Sequence, residues 1–386
     1  MIRYAAAAVL AAALVLAAAR LHGHESYGRA ASFTLLAGAA FGFAIQRSRF
    51  CFTAAFRDLY LLRDRRMALG TLAALASGSV GYLVVLGAQL PDPSRYLPPT
   101  AHIAPSGLHL VLGGAAFGTG MVLAGGCISG SLYRLGEGSL VAPVTLGAAA
   151  AGYGLAFWTW DWFYLKMIAE GPVVWLPRSL GYAGAAAAQL AALALLAGLV
   201  LWKCPGLPPR PGAPVGPRAA LRRALVDGWP SWMGGLAVGA IATFVFLRTS
   251  PLGVTSELSR VSHEIGKALG IVPVELQGLG KLPGCRPAAT GAAFTPNAIF
   301  VLALVGGSAV AALLAGEFKV RVGRPRTFAM AAAGGLLLGF GAMISLGCTV
   351  GTMLSGIMAF SLSGWLFAAG LAGGAWAGTK LMRKLA

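Results

Sequence analysis

Charge is what this sequence has least of. Only 11% of its 386 residues are Asp, Glu, Lys or Arg, against roughly 25% in soluble globular domains. That shortage excludes an ordinary water-soluble domain. Cysteine and histidine are also few, five of each. No His/Cys pair has the spacing of a zinc site, and three cysteines lie within apolar sequence, which argues against a disulfide framework. No ATP-binding motif is present, so no feature of the chain points to an ATP-driven pump.

What remains is strongly apolar. Hydrophobic residues make up 57% of the chain and the mean hydropathy is +0.75, the profile of an integral membrane protein set among lipids. The formal net charge of +18 does not imply nucleic acid. Its basic residues cluster in short loops between apolar segments, the positive-inside pattern.

A spanning helix needs about 20 apolar residues. Long apolar segments fall near 4–21, 31–46, 67–90, 108–125, 139–157, 181–202, 231–248, 297–315, 327–346 and 363–382. The first resembles a signal-peptide core and is read as a retained helix. Shorter pieces near 50–60, 127–133, 250–260 and 348–360 read as half-helices or re-entrant segments. Irregular backbone at that depth needs cover from protein or from a water-filled cavity. The fold class expected is all-α and polytopic, with about 9–10 spanning segments. The chain divides into a first membrane repeat (1–202), a Pro/Arg-rich linker (203–230) and a second repeat (231–386). Ten crossings with both termini inside bring four basic clusters to the cytoplasm: Arg57 to Arg66, Lys203 to Arg223, Lys319 to Arg326, and Lys380 to Lys384. Loops 91–107, 158–180 and 261–296 then face outward.

The repeat rests on one offset. Gly113, Gly114, Gly118, Gly120, Gly126, Cys127 and Gly130 recur 221 residues later as Gly334, Gly335, Gly339, Gly341, Gly347, Cys348 and Gly351. The two copies lie in opposite orientation under this topology. Paired Gly-interrupted segments of that kind point to a transporter binding site. Half-helices starting at Cys127 and Cys348 would aim free N–H groups at the membrane centre, an arrangement that favours an anion. Cys51 has no cysteine twin, since Gly253 stands at its expected counterpart. It sits close to Gln46, Arg47 and Arg49, which suggests a positively charged vestibule beside a thiol. Arg134 and Glu137, three apart on a helix, are expected to form a structural pair. Cys204 reads as incidental, Cys285 lies in a Gly/Pro-rich stretch, and the histidines are scattered near surfaces.

Three ordered motifs carry a resemblance to a known family. They are Gly42-Phe43-Ala44-Ile45-Gln46-Arg47-Ser48-Arg49-Phe50-Cys51, then Gly126-Cys127-Ile128-Ser129-Gly130 with Tyr133-Arg134-Leu135-Gly136-Glu137-Gly138, then Gly347-Cys348-Thr349-Val350-Gly351. In these the chain resembles the YeeE/YedE family of bacterial inner-membrane proteins, whose best-understood members are thiosulfate transporters with inverted halves and re-entrant helices. The resemblance implies that Cys51, Cys127 and Cys348 match the family's three functional thiols. It also implies a small inorganic anion as cargo, no cofactor, and a small cytoplasmic sulfur-carrier protein as a partner of some relatives.

Thiosulfate is a dianion, and moving it unaided into hydrocarbon is prohibitive. Helix N-termini, arginines and neutral thiols acting as weak donors would offset that cost. A thiol enzyme, such as a sulfurtransferase or oxidoreductase, is the main rival. It needs an activating base or partner, and no His or carboxylate lies within the cysteine motifs. Selenium oxyanions, sulfite and persulfide remain rival cargoes of similar size and charge.

Overall fold

The computed structural model describes residues 2–23, 28–204, 222, 225–282 and 295–385. Every long apolar segment is a helix, as its length and hydropathy dictate: α1 (Ile2–His22), α2 (Gly28–Ser48), α4 (Arg66–Gln89), α5 (Leu108–Leu123), α7 (Val141–Phe163), α8 (Leu176–Lys203), α9 (Ser231–Arg248), α11 (Pro296–Ala315), α12 (Pro325–Ile344) and α14 (Leu362–Leu385). The short pieces are helical too, as α3 (Phe52–Leu61), α6 (Ile128–Gly136), α10 (Thr255–Ala268) and α13 (Thr349–Met358). Most of α13 is π-helical. Among the described residues there is no strand, only two isolated β-bridges.

Nine segments among the described residues are long and apolar enough to cross a membrane. The molecule is thus an all-α, multi-pass membrane protein. The tenth expected segment is the 24-residue α14, whose serine, glycine and tryptophan leave it short of the others in hydropathy. Two expected loops are partly helical. Residues 158–163 continue α7 and residues 261–268 continue α10.

Cross-contacts sort the connections onto two ends. At one end the Ser106 amide donates to the Pro172 carbonyl, Trp175 bridges to Ser361, and Trp160 donates to the Gln277 carbonyl. At the other, Ser139 bridges to Arg321 and the Trp229 amide donates to the Arg47 carbonyl. The first is called below the vestibule end and the second the charged end.

Glycine packing holds the centre. A Cβ on Gly113 would stand 2.9 Å from the Gly341 carbonyl oxygen, and one on Gly341 would stand 2.5 Å from that of Gly113. Gly120 and Gly334 are related in the same way, at 2.6 Å each. Backbones this close need residues without side chains, and lipid offers no hydrophobic drive to replace such packing. The contacts also exchange between the copies. Gly114 packs on the α14 backbone at Phe367 and Leu371, while Gly335 packs on the α7 backbone at Thr145 and Ala149. Likewise α2 packs on α11, and α9 on α4.

Candidate functional site

Each of the three cysteines is the N-cap of a half-helix: Cys51 of α3, Cys127 of α6 and Cys348 of α13. The turn that brings each one there is shared. The residue two before the cysteine is left-handed in every case: Arg49 (φ 53°), Gly125 (φ 72°) and Leu346 (φ 59°). Around Arg49 and Leu346 the preceding helix closes with the paired bonds of a Schellman motif. Phe50 N–H donates to the Ile45 carbonyl and Gly347 N–H to that of Ala342. The chain then extends through the cysteine, and the new half-helix presents its unpaired N–H groups.

The three turns meet. A Cβ on Gly130 would lie 3.5 Å from Cys127 Sγ and 4.0 Å from Cys51 Sγ, so both sulfurs border the same small gap. Cys127 Sγ also lies 3.2 Å from Ser129 Oγ and accepts from the Gly130 amide at 3.4 Å. The Thr349 hydroxyl, next in sequence to Cys348, lies within hydrogen-bonding reach of the Cys127 thiol and has no other partner among the described residues. Thr53, two residues after Cys51, has a buried and unpartnered hydroxyl. All three cysteines are free and buried.

From the vestibule end a cavity of about 560 Å³ reaches Gly347 and Gly351, on either side of Cys348. Residues 97–103, Ser250 to Gly253, Glu257, Arg260 and Asn297 also line it. A Cβ on Gly351 would meet nothing within 4 Å. At the cavity floor His102 Nε2 is 3.2 Å from Thr352 Oγ1 on α13. Burial pushes the His102 imidazole down to about 4, so the ring is neutral near pH 7.

At the charged end a polar cluster lies near Cys51. Gln46 Nε2 donates to Glu137 Oε1 (3.0 Å) and to Glu317 Oε2 (2.8 Å), and Gln46 Oε1 accepts from Arg47 Nε (2.7 Å). Arg47 pairs with Glu317 at 2.7 Å. Arg49 pairs with Glu137 at 2.7 Å and with Glu317 at 2.9 Å. Two arginines against two glutamates leave no net charge, so the positive vestibule expected beside Cys51 is absent. Asp58, on α3, pairs with Arg57 rather than with either of these arginines.

The expected Arg134–Glu137 pair is also corrected. Arg134 Nη1 donates to the Gly125 carbonyl at 2.5 Å, while Glu137 is engaged by Gln46 and Arg49. Glu137 follows α6 and turns toward α2, whereas Arg134 folds back along the half-helix to its first turn. His102, His109 and His263 are buried rather than superficial. Cys204 is buried, and its carbonyl accepts from Arg65. Cys285 lies outside the described residues. Sequence reasoning missed Glu317, Thr53, Thr349 and His102. For Glu317 a signal existed: it is one of only 12 acidic residues and directly follows an apolar span.

A family model described as sulphur transport matches residues 47–377. The chain belongs to that family. The resemblance carried by the cysteine motifs is therefore borne out. Curated relatives agree with it. The chain is 29% identical over 364 residues to the thiosulfate transporter TsuA of Spirochaeta thermophila, covering 86% of this chain and 93% of that protein. It is 29% identical over 360 residues to TsuA of Escherichia coli, covering 86% and 89%. A shorter match, 33% over 153 residues, joins it to the probable transporter YedE of Escherichia coli, covering 39% of this chain and 35% of that protein. These sulphur-transport relatives are named as transporters, not as enzymes.

Proposed function

We propose that this protein takes up thiosulfate, or a reduced-sulfur anion of the same class, through a passage lined by Cys51, Cys127 and Cys348 with Gly126, Gly130, Gly347 and Gly351. The observation that supports the reading is the convergence of cysteine turns between the cavity and the charged end. The cavity touches Gly347 and Gly351, Thr349 lies beside the Cys127 thiol, Cys127 and Cys51 flank Gly130, and the Gln46–Arg49–Glu137–Glu317 cluster follows.

The physics favours a weakly held anion. Half-helix N-termini, thiols and the buried Thr53 and Thr349 hydroxyls provide many weak donors in place of a strong one. Conduction needs sites that bind firmly enough to admit an ion and loosely enough to release it. In this reading the anion enters at the vestibule end, passes Cys348, Cys127 and Cys51 in that order, and leaves through a rearranged charged end. The positive-inside pattern makes the charged end cytoplasmic, with both termini there and the protein in the bacterial inner membrane. The exchanged glycine contacts support two inverted halves, 1–202 and 231–386. A small cytoplasmic sulfur-carrier protein would suit as acceptor of the delivered sulfur.

The test is uptake of labelled thiosulfate in cells that depend on it for sulfur. Cys127→Ala and Cys348→Ala should each abolish uptake, and Cys→Ser variants should keep part of it because the hydroxyl still donates. A wild type that moves no thiosulfate would sink the reading. Persulfide trapped on these cysteines would favour the sulfurtransferase instead.

A further inference from the structure

The geometry points to Arg134 as the residue that neutralises the second negative charge of the cargo, at a subsite formed with the Thr349 hydroxyl and the Cys51 and Cys127 thiols. The inference rests on the proposed transport of a thiosulfate-class dianion and adds to it the residue that would set the charge preference.

Four observations converge on it. Arg134 lies within electrostatic reach of both thiols, and its Nη1 reaches back across the first turn of α6 to the Gly125 carbonyl. A Cβ on Gly126 would stand 3.1 Å from that same nitrogen, so the guanidinium lies against the cysteine turn. Among the described residues Arg134 has no carboxylate partner, whereas Arg47 and Arg49 are balanced by Glu137 and Glu317. Finally, the fully buried Thr349 hydroxyl faces the Cys127 thiol and has no other hydrogen-bond partner among the described residues.

A half-buried guanidinium is costly unless something answers its charge. The Gly125 carbonyl and Tyr133, whose ring centroid lies 5.9 Å away, answer only in part. Arginine carries five N–H donors in a planar fork that fits two oxygens of one oxyanion. The hard sulfonate oxygens of the cargo would face Arg134 and Thr349, and its soft terminal sulfur the two thiols. With the charged-end cluster neutral, Arg134 gives the thiol gap its one uncompensated positive charge among the described residues.

The competing role is purely structural: Arg134 clamps the Gly125 turn and never meets the anion. Two anions of similar shape and different charge separate the roles. Methanethiosulfonate replaces one oxygen of thiosulfate by a methyl group and carries a single negative charge. Uptake of labelled thiosulfate into proteoliposomes, with unlabelled methanethiosulfonate as competitor, should be compared for wild type, Arg134→Lys and Arg134→Gln. The inference expects the Arg134→Gln change to raise the thiosulfate KM by about tenfold or more, the scale of one hydrogen bond to a charged group. The inhibition constant of methanethiosulfonate should move less than about threefold, well inside that scale. Arg134→Lys should recover most of the thiosulfate affinity.

Equal losses for both anions, or an unchanged KM, would overturn the inference while leaving transport itself standing. Should Arg134→Gln fail to fold, the Lys variant decides. Near-wild-type preference for thiosulfate over methanethiosulfonate supports the charge role, and loss of that preference refutes it. A wild type that imports no thiosulfate defeats the parent reading and this inference together.

Discussion

Glycines that look alike in the sequence do two different things. Gly341 is needed for packing, because a Cβ there would overlap the Gly113 carbonyl oxygen across the interface of α5 and α12. Gly351 has nothing within 4 Å of the same position, and Gly130 faces only sulfur at ordinary contact distance. Packing therefore does not require glycine at either place; the proposed passage does. Gly130→Ala and Gly351→Ala should give folded protein with uptake several-fold lower. Gly341→Ala should cost about 1–3 kcal/mol from overpacking and lower expression and melting temperature. A Gly130→Ala protein that transports like wild type would remove that gap from the pathway. The sequence showed that these glycines repeat, but not which of them touch, because contact across an interface depends on how two helices cross.

At the scale of elements, the unit that recurs is a long helix closed by a left-handed residue, an extended cysteine and a short helix. Its existence was legible: runs too short to cross, each after a Gly or a charged interruption, fall at 50–60, 127–133 and 348–360. The left-handed conformation of Arg49 and Leu346 was not legible, since non-glycine residues adopt it only where the surrounding structure compels them. A second element-scale contact is the segment 101–106, which places His102 on α13. The ring is neutral in the fold and would take a proton near pH 6.5 in the unfolded chain. Between about pH 6.5 and 4 the unfolded state binds more protons, so stability falls as pH drops through that window. The charged groups across the cavity, Glu257 and Arg260, pair with each other. His102→Gln keeps a partner for Thr352 and removes the titration. Melting curves of the purified protein between pH 4 and 7 should be flatter for the variant than for wild type.

For the whole molecule, the charged-end cluster is the feature that joins distant parts of the chain. It ties α2 to the ends of α6 and α11 through Gln46, Arg47, Arg49, Glu137 and Glu317. Removing one member of a buried pair strands the other charge, at roughly 3–5 kcal/mol when burial is complete. The Arg47 side chain held by Glu317 is 1% exposed, whereas the Arg49 side chain held by Glu137 is 44% exposed and pairs with Glu317 as well. Glu317→Gln should therefore destabilise by about 3 kcal/mol, and Glu137→Gln by clearly less. Thermal unfolding in detergent checks the order, and equal losses would mean that solvent screens both sites alike. On the proposed route the anion leaves past this cluster, so its opening would be the movement that a transport cycle requires.

The sequence by itself determined the medium, the number of long helices, the half-helices and the three cysteines. Each of these follows from local quantities: mean hydropathy, the length of an apolar run, and the identity of a residue at an interruption. Only the tertiary structure decided the partners. It turned Arg134 away from Glu137 toward the cysteine turn, neutralised Arg47 and Arg49, and brought Thr349 beside Cys127. Pairing energies in a membrane interior depend on distances between residues far apart in the chain, and a linear pattern of charges does not contain those distances.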